Sequence, residues 1–164
     1  MLPRSKPCPC TSGKTYGSCC HPFHKGESDP QDAPTLVRAR YAAFALGEIE
    51  FLWKTLHPHN ADRDRGRDQV LAALRVASSA YRYMGLTLLD ARGEAADPDG
   101  VARVLYVARI FQRGRDVSFV ERAEFLRDGG GMRYVGGKSI DLAKVPGDVA
   151  ALTLDSSEAL LRAT

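Results

Sequence analysis

The sequence predicts an α+β domain in which three helices pack on an antiparallel sheet of about four strands, preceded by a small knuckle with no core of its own. Three observations carry this. Up to about residue 78, apolar residues recur at helical spacing. From Tyr81 onward the chain is rich in Tyr, Val, Leu and Ile, in segments separated by strong turn signals. Cys8, Cys10, Cys19 and Cys20 fall within 13 residues of a 164-residue chain, and no cysteine follows. That length suits one ordinary domain with ~30 residues to spare.

Residues 1–24 are rich in Pro, Gly, Ser and Cys and carry almost no apolar periodicity, so something other than a core must order them. Residues 25–33 read as a polar linker. The expected organisation is a knuckle and linker over 1–30, the α+β domain over 31–140, and a tail over 141–164. The first helix of the domain begins near Pro34 with Asp32 as N-cap, and presents Val37, Tyr41 and Phe44. Gly47 interrupts it. A second short helix offers Ile49, Leu52, Trp53 and Leu56 on one face and stops at Pro58. Residues 59–68 are polar and read as a loop. A third helix over about 68–78 presents Val70, Leu71 and Leu74. Strands are predicted over 81–92, 101–113, 117–127 and 132–136. Between them lie the turns Asp97-Pro-Asp-Gly100, Gly114-Arg-Asp116 and Asp128-Gly-Gly-Gly131. The helices are expected on one sheet face. A last short helix near Ser156–Arg162 has Asp155 as its cap.

Composition narrows the function classes. Hydrophobic residues at 44% and charged residues at 26% suit a folded core. The 23 Lys+Arg nearly cancel the 20 Asp+Glu, leaving +3, which counts against nonspecific nucleic-acid binding. The basic stretch 63–67 also lacks interleaved aromatics. No apolar run of ~18 residues exists, so no membrane span is expected. Residues 1–6 lack the apolar centre of a secretory signal, and a cytoplasmic protein is expected.

A disulfide fold would scatter its cysteines to staple distant segments, and the adjacent pair Cys19–Cys20 would close a strained ring. Four clustered thiolates suit a tetrahedral Zn²⁺ instead. Cys8 and Cys10 share one turn. The intervening Ser12-Gly-Lys-Thr-Tyr-Gly17 supplies the glycines of a tight return loop, and Cys19 with Cys20 completes the set. Four protein ligands leave no open position, so the expected metal is one structural zinc per chain. Such binding is worth ~10–16 kcal/mol in short peptides. The alternatives are free, disulfide-bonded or redox-active thiols, and a Cys3His set with His21 in place of Cys20.

The run Cys8-Pro-Cys10-Thr-Ser-Gly-Lys-Thr-Tyr-Gly-Ser-Cys19-Cys20-His21 resembles the SEC-C motif, the zinc module at the C-terminus of the SecA translocase. The resemblance implies Cys8, Cys10, Cys19 and Cys20 as ligands. Thr11 stands where that family usually has Gly. In SecA the module contacts the chaperone SecB and the ribosome, which implies an acidic protein partner for Lys14; the plainer reading of Lys14 is a solvated surface charge. Cys-Cys-His-Pro-Phe23, Arg38-Ala-Arg-Tyr-Ala-Ala-Phe-Ala45, Leu56-His-Pro58 and Glu121-Arg-Ala-Glu-Phe-Leu126 extend the likeness to the bacterial YchJ family, up to about residue 138. There a SEC-C motif precedes a nuclear-transport-factor-2-like domain, which implies a cone: a curved sheet wrapped against helices. Such cones serve catalysis, ligand binding or packing alone.

Within the domain, a hairpin loop at Gly114–Asp116 would set Arg109 opposite Glu121, as a cross-strand ion pair or, in an apolar cavity, as a raised-pKa base. His57 and His59 flank Pro58 and are expected to cap the helix end, with proton transfer as the sharper reading of His57. Trp53 and Tyr41 are read as core, and Arg38 and Arg40 as flanks of the buried stripe, solvated or paired to an acidic residue. No phosphate loop, nucleophile elbow or paired-carboxylate signature is present. The expectation is a non-enzymatic, zinc-stabilised protein-interaction module with an unidentified protein partner. The alternative is a small-molecule binder or catalyst using the cone cavity, with His57, Arg109 and Glu121 as its candidates. An open cavity with convergent polar groups favours the alternative; a filled cone favours the module.

Overall fold

The computed structural model describes residues 1–162. A short helix α1 (His21–His24) closes the cysteine segment; α2 (Ala33–Leu46), α3 (Ile49–Lys54) and α4 (Arg67–Ala80) follow. Then come β1 (Arg82–Arg92), β2 (Ala102–Gln112), β3 (Arg115–Asp116), β4 (Phe119–Asp128) and β5 (Gly131–Asp141), and α5 (Leu154–Arg162) ends the described chain. All pairings between the strands are antiparallel, in the order β1-β2-β4-β5, with β3 on the end of β2. Bulges between Tyr83 and Gly85 and between Leu88 and Asp90 bend β1, and the sheet does not close. The α+β expectation holds, with the strands in the predicted order.

Local rules account for the helices. Asp32 caps α2 by accepting from the Thr35 N–H at 2.7 Å. Gly47, at φ 72°, ends it in the left-handed conformation that a side chain resists. α2 packs across β1, β2 and β5, and Leu36, Ala39, Ala42 and Ala43 are fully buried against them. The small side chains let the helix lie close to the sheet.

Four expectations need correction. The turn after β2 has Arg113 at φ 49° and Gly114 at φ 80°, a two-residue hairpin whose twist matches that of the strands. It lies upstream of the expected Gly114–Asp116 loop, so the register differs. Tyr106, not Arg109, faces Glu121, and Arg109 pairs with Gly85 on β1. The last strand does not stop at residue 136 but runs through Gly136 and Gly137 to Asp141. A Cβ on Gly137 would lie 2.5 Å from Oε1 of Glu121, so the glycine makes room for that side chain. α5 covers the other sheet face, with Leu154 and Leu161 packed against Leu105, Val107, Val120 and Ile140. The consecutive buried pairs Val104–Leu105 and Val107–Ala108 are the mark of a strand covered on both sides. The cap of α5 is Thr153 rather than Asp155: Thr153 and Ser156 exchange N–H to hydroxyl bonds at 3.1 and 2.9 Å.

The linker is pinned. Met132 N–H donates to the Pro30 carbonyl at 2.9 Å, and the Gln31 side chain donates to Gly130 O at 2.7 Å. Downstream of α3, Tyr134 N–H donates to Thr55 O and His57 N–H to Tyr134 O, both at 2.8 Å. These contacts cover the free edge of β5. Cys8, Cys10, Tyr16 and Cys20 belong to the same buried cluster as Leu36, Phe51, Val104 and Phe125.

Candidate functional site

The sulfurs of Cys8, Cys10, Cys19 and Cys20 all lie within 4.8 Å of one another. Cys10 and Cys19 Sγ stand 3.5 Å apart, and Cys19 and Cys20 Sγ 3.7 Å, far beyond a disulfide bond. A tetrahedral ion with Zn–S bonds of ~2.3 Å sets its sulfurs about 3.8 Å apart, so the spacing and the soft donor set both fit zinc. Cys8, Cys10 and Cys20 are buried and Cys19 partly so. Crowding drives the thiols apart in acidity. Bonds donated to Cys10 push Cys8 up to about 12 and Cys20 higher still, while Cys10, which accepts from Cys20 and Cys8, is held far below the thiol range. A divalent cation at the centre deprotonates coordinating thiols outright. His21 stands outside the cluster of four sulfurs and accepts from Arg4 Nε at 3.2 Å.

Three contacts seat this centre on the domain. Arg38 of α2 donates to the Cys10 carbonyl at 3.0 Å. Thr11, at φ 55°, bonds the backbone of Leu86 in β1 through its hydroxyl. His24 bridges the Tyr16 hydroxyl and the Ala39 carbonyl, both at 2.8 Å, and its ring lies 4.8 Å from that of Phe51. Burial lowers the His24 pKa, against the opposing effect of its bond to the Ala39 carbonyl. Sequence reasoning missed His24. Lys14 is exposed on the outer loop, with no partner for its ammonium among the described residues.

Between α2, α4 and the sheet the cone is open. A cavity of 330 Å³ is lined by Val37, Tyr41, Phe44, Leu74, Ile110 and other apolar side chains, and also by Arg40, Asp62, Tyr106, Glu121 and Tyr134. Glu121 Oε1 accepts from the Tyr134 hydroxyl at 2.9 Å. Burial raises the Glu121 pKa, against the bonds from Tyr134 and Tyr106 and the nearby Arg40 charge. Arg40 is 8% exposed, and its guanidinium lies 4.8 Å over the Tyr134 ring. Its Nη1 donates to Leu52 O at 2.8 Å and to Thr55 Oγ1 at 2.7 Å.

Of the cavity candidates, the structure brings only Glu121 to the cavity wall. Arg109 is exposed and does not reach it. His57 is buried in the turn after α3, where its Nδ1 accepts from His59 N–H at 3.1 Å. No side-chain bond from it to the helix end is present among the described residues; Arg63 reaches there instead, donating to Trp53 O at 3.5 Å and to Leu56 O at 2.8 Å while stacked 4.5 Å over the Trp53 ring. Arg40 is not a solvated flank. Val37, Arg40, Tyr41 and Phe44 have the i, i+3, i+4, i+7 spacing of a single helix face, and that spacing was the signal for it.

Comparison with known proteins agrees with both halves. Residues 4–22 match the SEC-C motif, and residues 32–137 match the family described as YchJ, middle NTF2-like domain. The chain is 33% identical over 133 residues to UPF0225 protein YchJ of Shigella dysenteriae serotype 1, covering 81% of this chain and 83% of that protein. Among solved structures, a SEC-C motif containing protein from Rhodopseudomonas palustris superposes with a TM-score of 0.69 at 27% identity, over 82% of this chain and 98% of that one. A second, from Psychrobacter arcticus, shares the fold with a TM-score of 0.66 at 21% identity, over 91% of this chain and 88% of that one.

Proposed function

The chain belongs to the YchJ family, and from that premise we propose that it is a small-molecule-binding protein in which one zinc ion, held by Cys8, Cys10, Cys19 and Cys20, is structural. The observation that carries this is the open 330 Å³ cavity, apolar along most of its wall with a buried guanidinium and a carboxylate set into it. Small-molecule sites have this composition. The zinc has a structural role here because the Cys10 carbonyl is bonded to Arg38 and the Thr11 hydroxyl to Leu86 of the cone, and four protein ligands leave no coordination position for a substrate. Binding rather than catalysis is the role assigned to the cavity: Glu121 is already engaged by Tyr134.

The test uses 2-naphthol, a neutral fluorescent probe. It should bind wild type with one-to-one stoichiometry and fail to bind Ala108→Leu, which projects extra side chain into the cavity from β2. The variant's far-ultraviolet circular dichroism and zinc content should match wild type. Equal binding to both proteins would overturn the cavity reading.

A second reading has its own observation. Lys6 and Lys14 are exposed on the knuckle with no carboxylate on either among the described residues, whereas Arg4 is tied to Glu27. That basic face fits an acidic protein partner. Lys14→Glu should keep the zinc and lose such a partner in a pull-down; a partner retained would rule this surface out.

A further inference from the structure

We infer that the ligand of this cavity is a small aromatic or aliphatic monocarboxylic acid, bound as its anion with its carboxylate on the Nε and Nη2 edge of Arg40. This rests on the reading of the cavity as a ligand site and names the chemistry that site selects.

Arg40 is a buried cation with no ion-pair partner among the described residues; its only hydrogen bonds are the two made by Nη1. A guanidinium in that position is costly unless something completes it. Those two bonds, with the stacking over Tyr134, fix the plane of the group. Nε and Nη2 then carry no hydrogen bond. They are not sealed off either: the buried side-chain nitrogens left without a partner are Nε of Arg63 and Nε of Arg122. The free edge of Arg40 is therefore accessible, and Arg40 is one of the residues that line the cavity. Two parallel N–H donors on a fixed plane are what a carboxylate takes bidentately.

The remaining wall selects the rest of the molecule. Val37, Tyr41, Phe44, Leu74 and Ile110 offer apolar and aromatic surface and accommodate a hydrocarbon or ring. A doubly charged anion such as phosphate is disfavoured, since one guanidinium is the only cation lining the cavity among the described residues and Glu121 and Asp62 line it too. An ammonium ligand would need Glu121, which already accepts from Tyr134 and has Arg40 nearby.

The experiment compares three probes of one skeleton by calorimetry on the zinc-loaded full chain: 3-phenylpropanoate, 3-phenylpropanamide and 3-phenylpropylamine. The carboxylate should bind at least about tenfold more tightly than the other two, and Arg40→Gln should erase that preference. Because Arg40 also ties α2 to the end of α3, Glu121→Gln provides a second arm. It keeps the acceptor for Tyr134 and removes a negative charge, so it should tighten the carboxylate and weaken the amine. If the amide or amine binds as well as the carboxylate, or no member binds while 2-naphthol does, the inference fails and the cavity reading stands. If neither the series nor 2-naphthol binds, the cavity reading itself falls.

Discussion

Thr11 holds Leu86 by both of its backbone groups: its hydroxyl accepts from the Leu86 N–H at 3.0 Å and stands 2.8 Å from the Leu86 carbonyl oxygen. It does so with φ at 55°, where a β-branched residue is strained. The strain persists because the hydroxyl substitutes for a strand partner beside the bulge at Gly85. Thr11→Val keeps the strain and strips the bonds, and should destabilise the fold by ~2 kcal/mol or more in denaturant titrations. Thr11→Ser keeps the hydroxyl on a less crowded Cβ and should stay within about 1 kcal/mol of wild type. Equal losses from both variants would show that the hydroxyl does not carry the contact.

The purified protein should contain about one zinc per chain by elemental analysis. Cys19→Ser should lose most of it and lower the Tm, because Cys8, Cys10, Tyr16 and Cys20 belong to the buried cluster shared with α2 and the sheet. Amide exchange should rise first over residues 4–22, while β2 and β4 stay protected. Unchanged metal content would remove Cys19 from the ligand set.

Gly137→Ala places a methyl group where the Glu121 carboxylate lies. The variant should be less stable by about 1–3 kcal/mol, with Tyr134 released from its bond to Glu121. Tyr134 hydroxyl exchange and a chemical melt report the two effects separately. A neutral Gly137→Ala would mean that Glu121 has another rotamer of equal energy.

Burial raises the Glu121 pKa in the folded chain above the ordinary value of ~4.3. The folded state then binds that proton more tightly than the unfolded state. The group therefore favours folding fully below the ordinary value, and stability falls as pH rises from there through the raised folded value. Arg40, Tyr41, Asp62, Tyr81, Tyr83, Tyr106 and Tyr134 are the titratable groups among the described residues that line the cavity with it. Glu121→Gln should be more stable than wild type near neutral pH and should lose that advantage below pH ~4. An advantage that grew on acidification would reverse the assigned sign.

The sequence showed the features set by near neighbours. The four clustered thiols are close in sequence, so their spacing alone points to a metal-compatible cluster and a return loop. The N-cap at Asp32, the stop at Gly47 and the turn at Asp97–Gly100 are likewise local. Arg40 was equally legible, since its spacing from Val37, Tyr41 and Phe44 puts it on one helix face; its charge led to a reading as a flank, solvated or paired, where the period pointed inward.

The tertiary structure decided what depends on residues far apart in sequence. A hairpin turn displaced along the chain moves every cross-strand partner, so Glu121 meets Tyr106 and Arg109 is left outside. Gly137 looks like a strand end until Glu121 leans over it. The C-terminal helix covers a sheet face that no local pattern assigns to it. Thr11, Arg38 and His24 become joints between knuckle and cone only once β1 and α2 are in place. Short-range periodicity and capping fix which elements form; register, packing depth and the neighbours of a buried charge follow from how those elements meet.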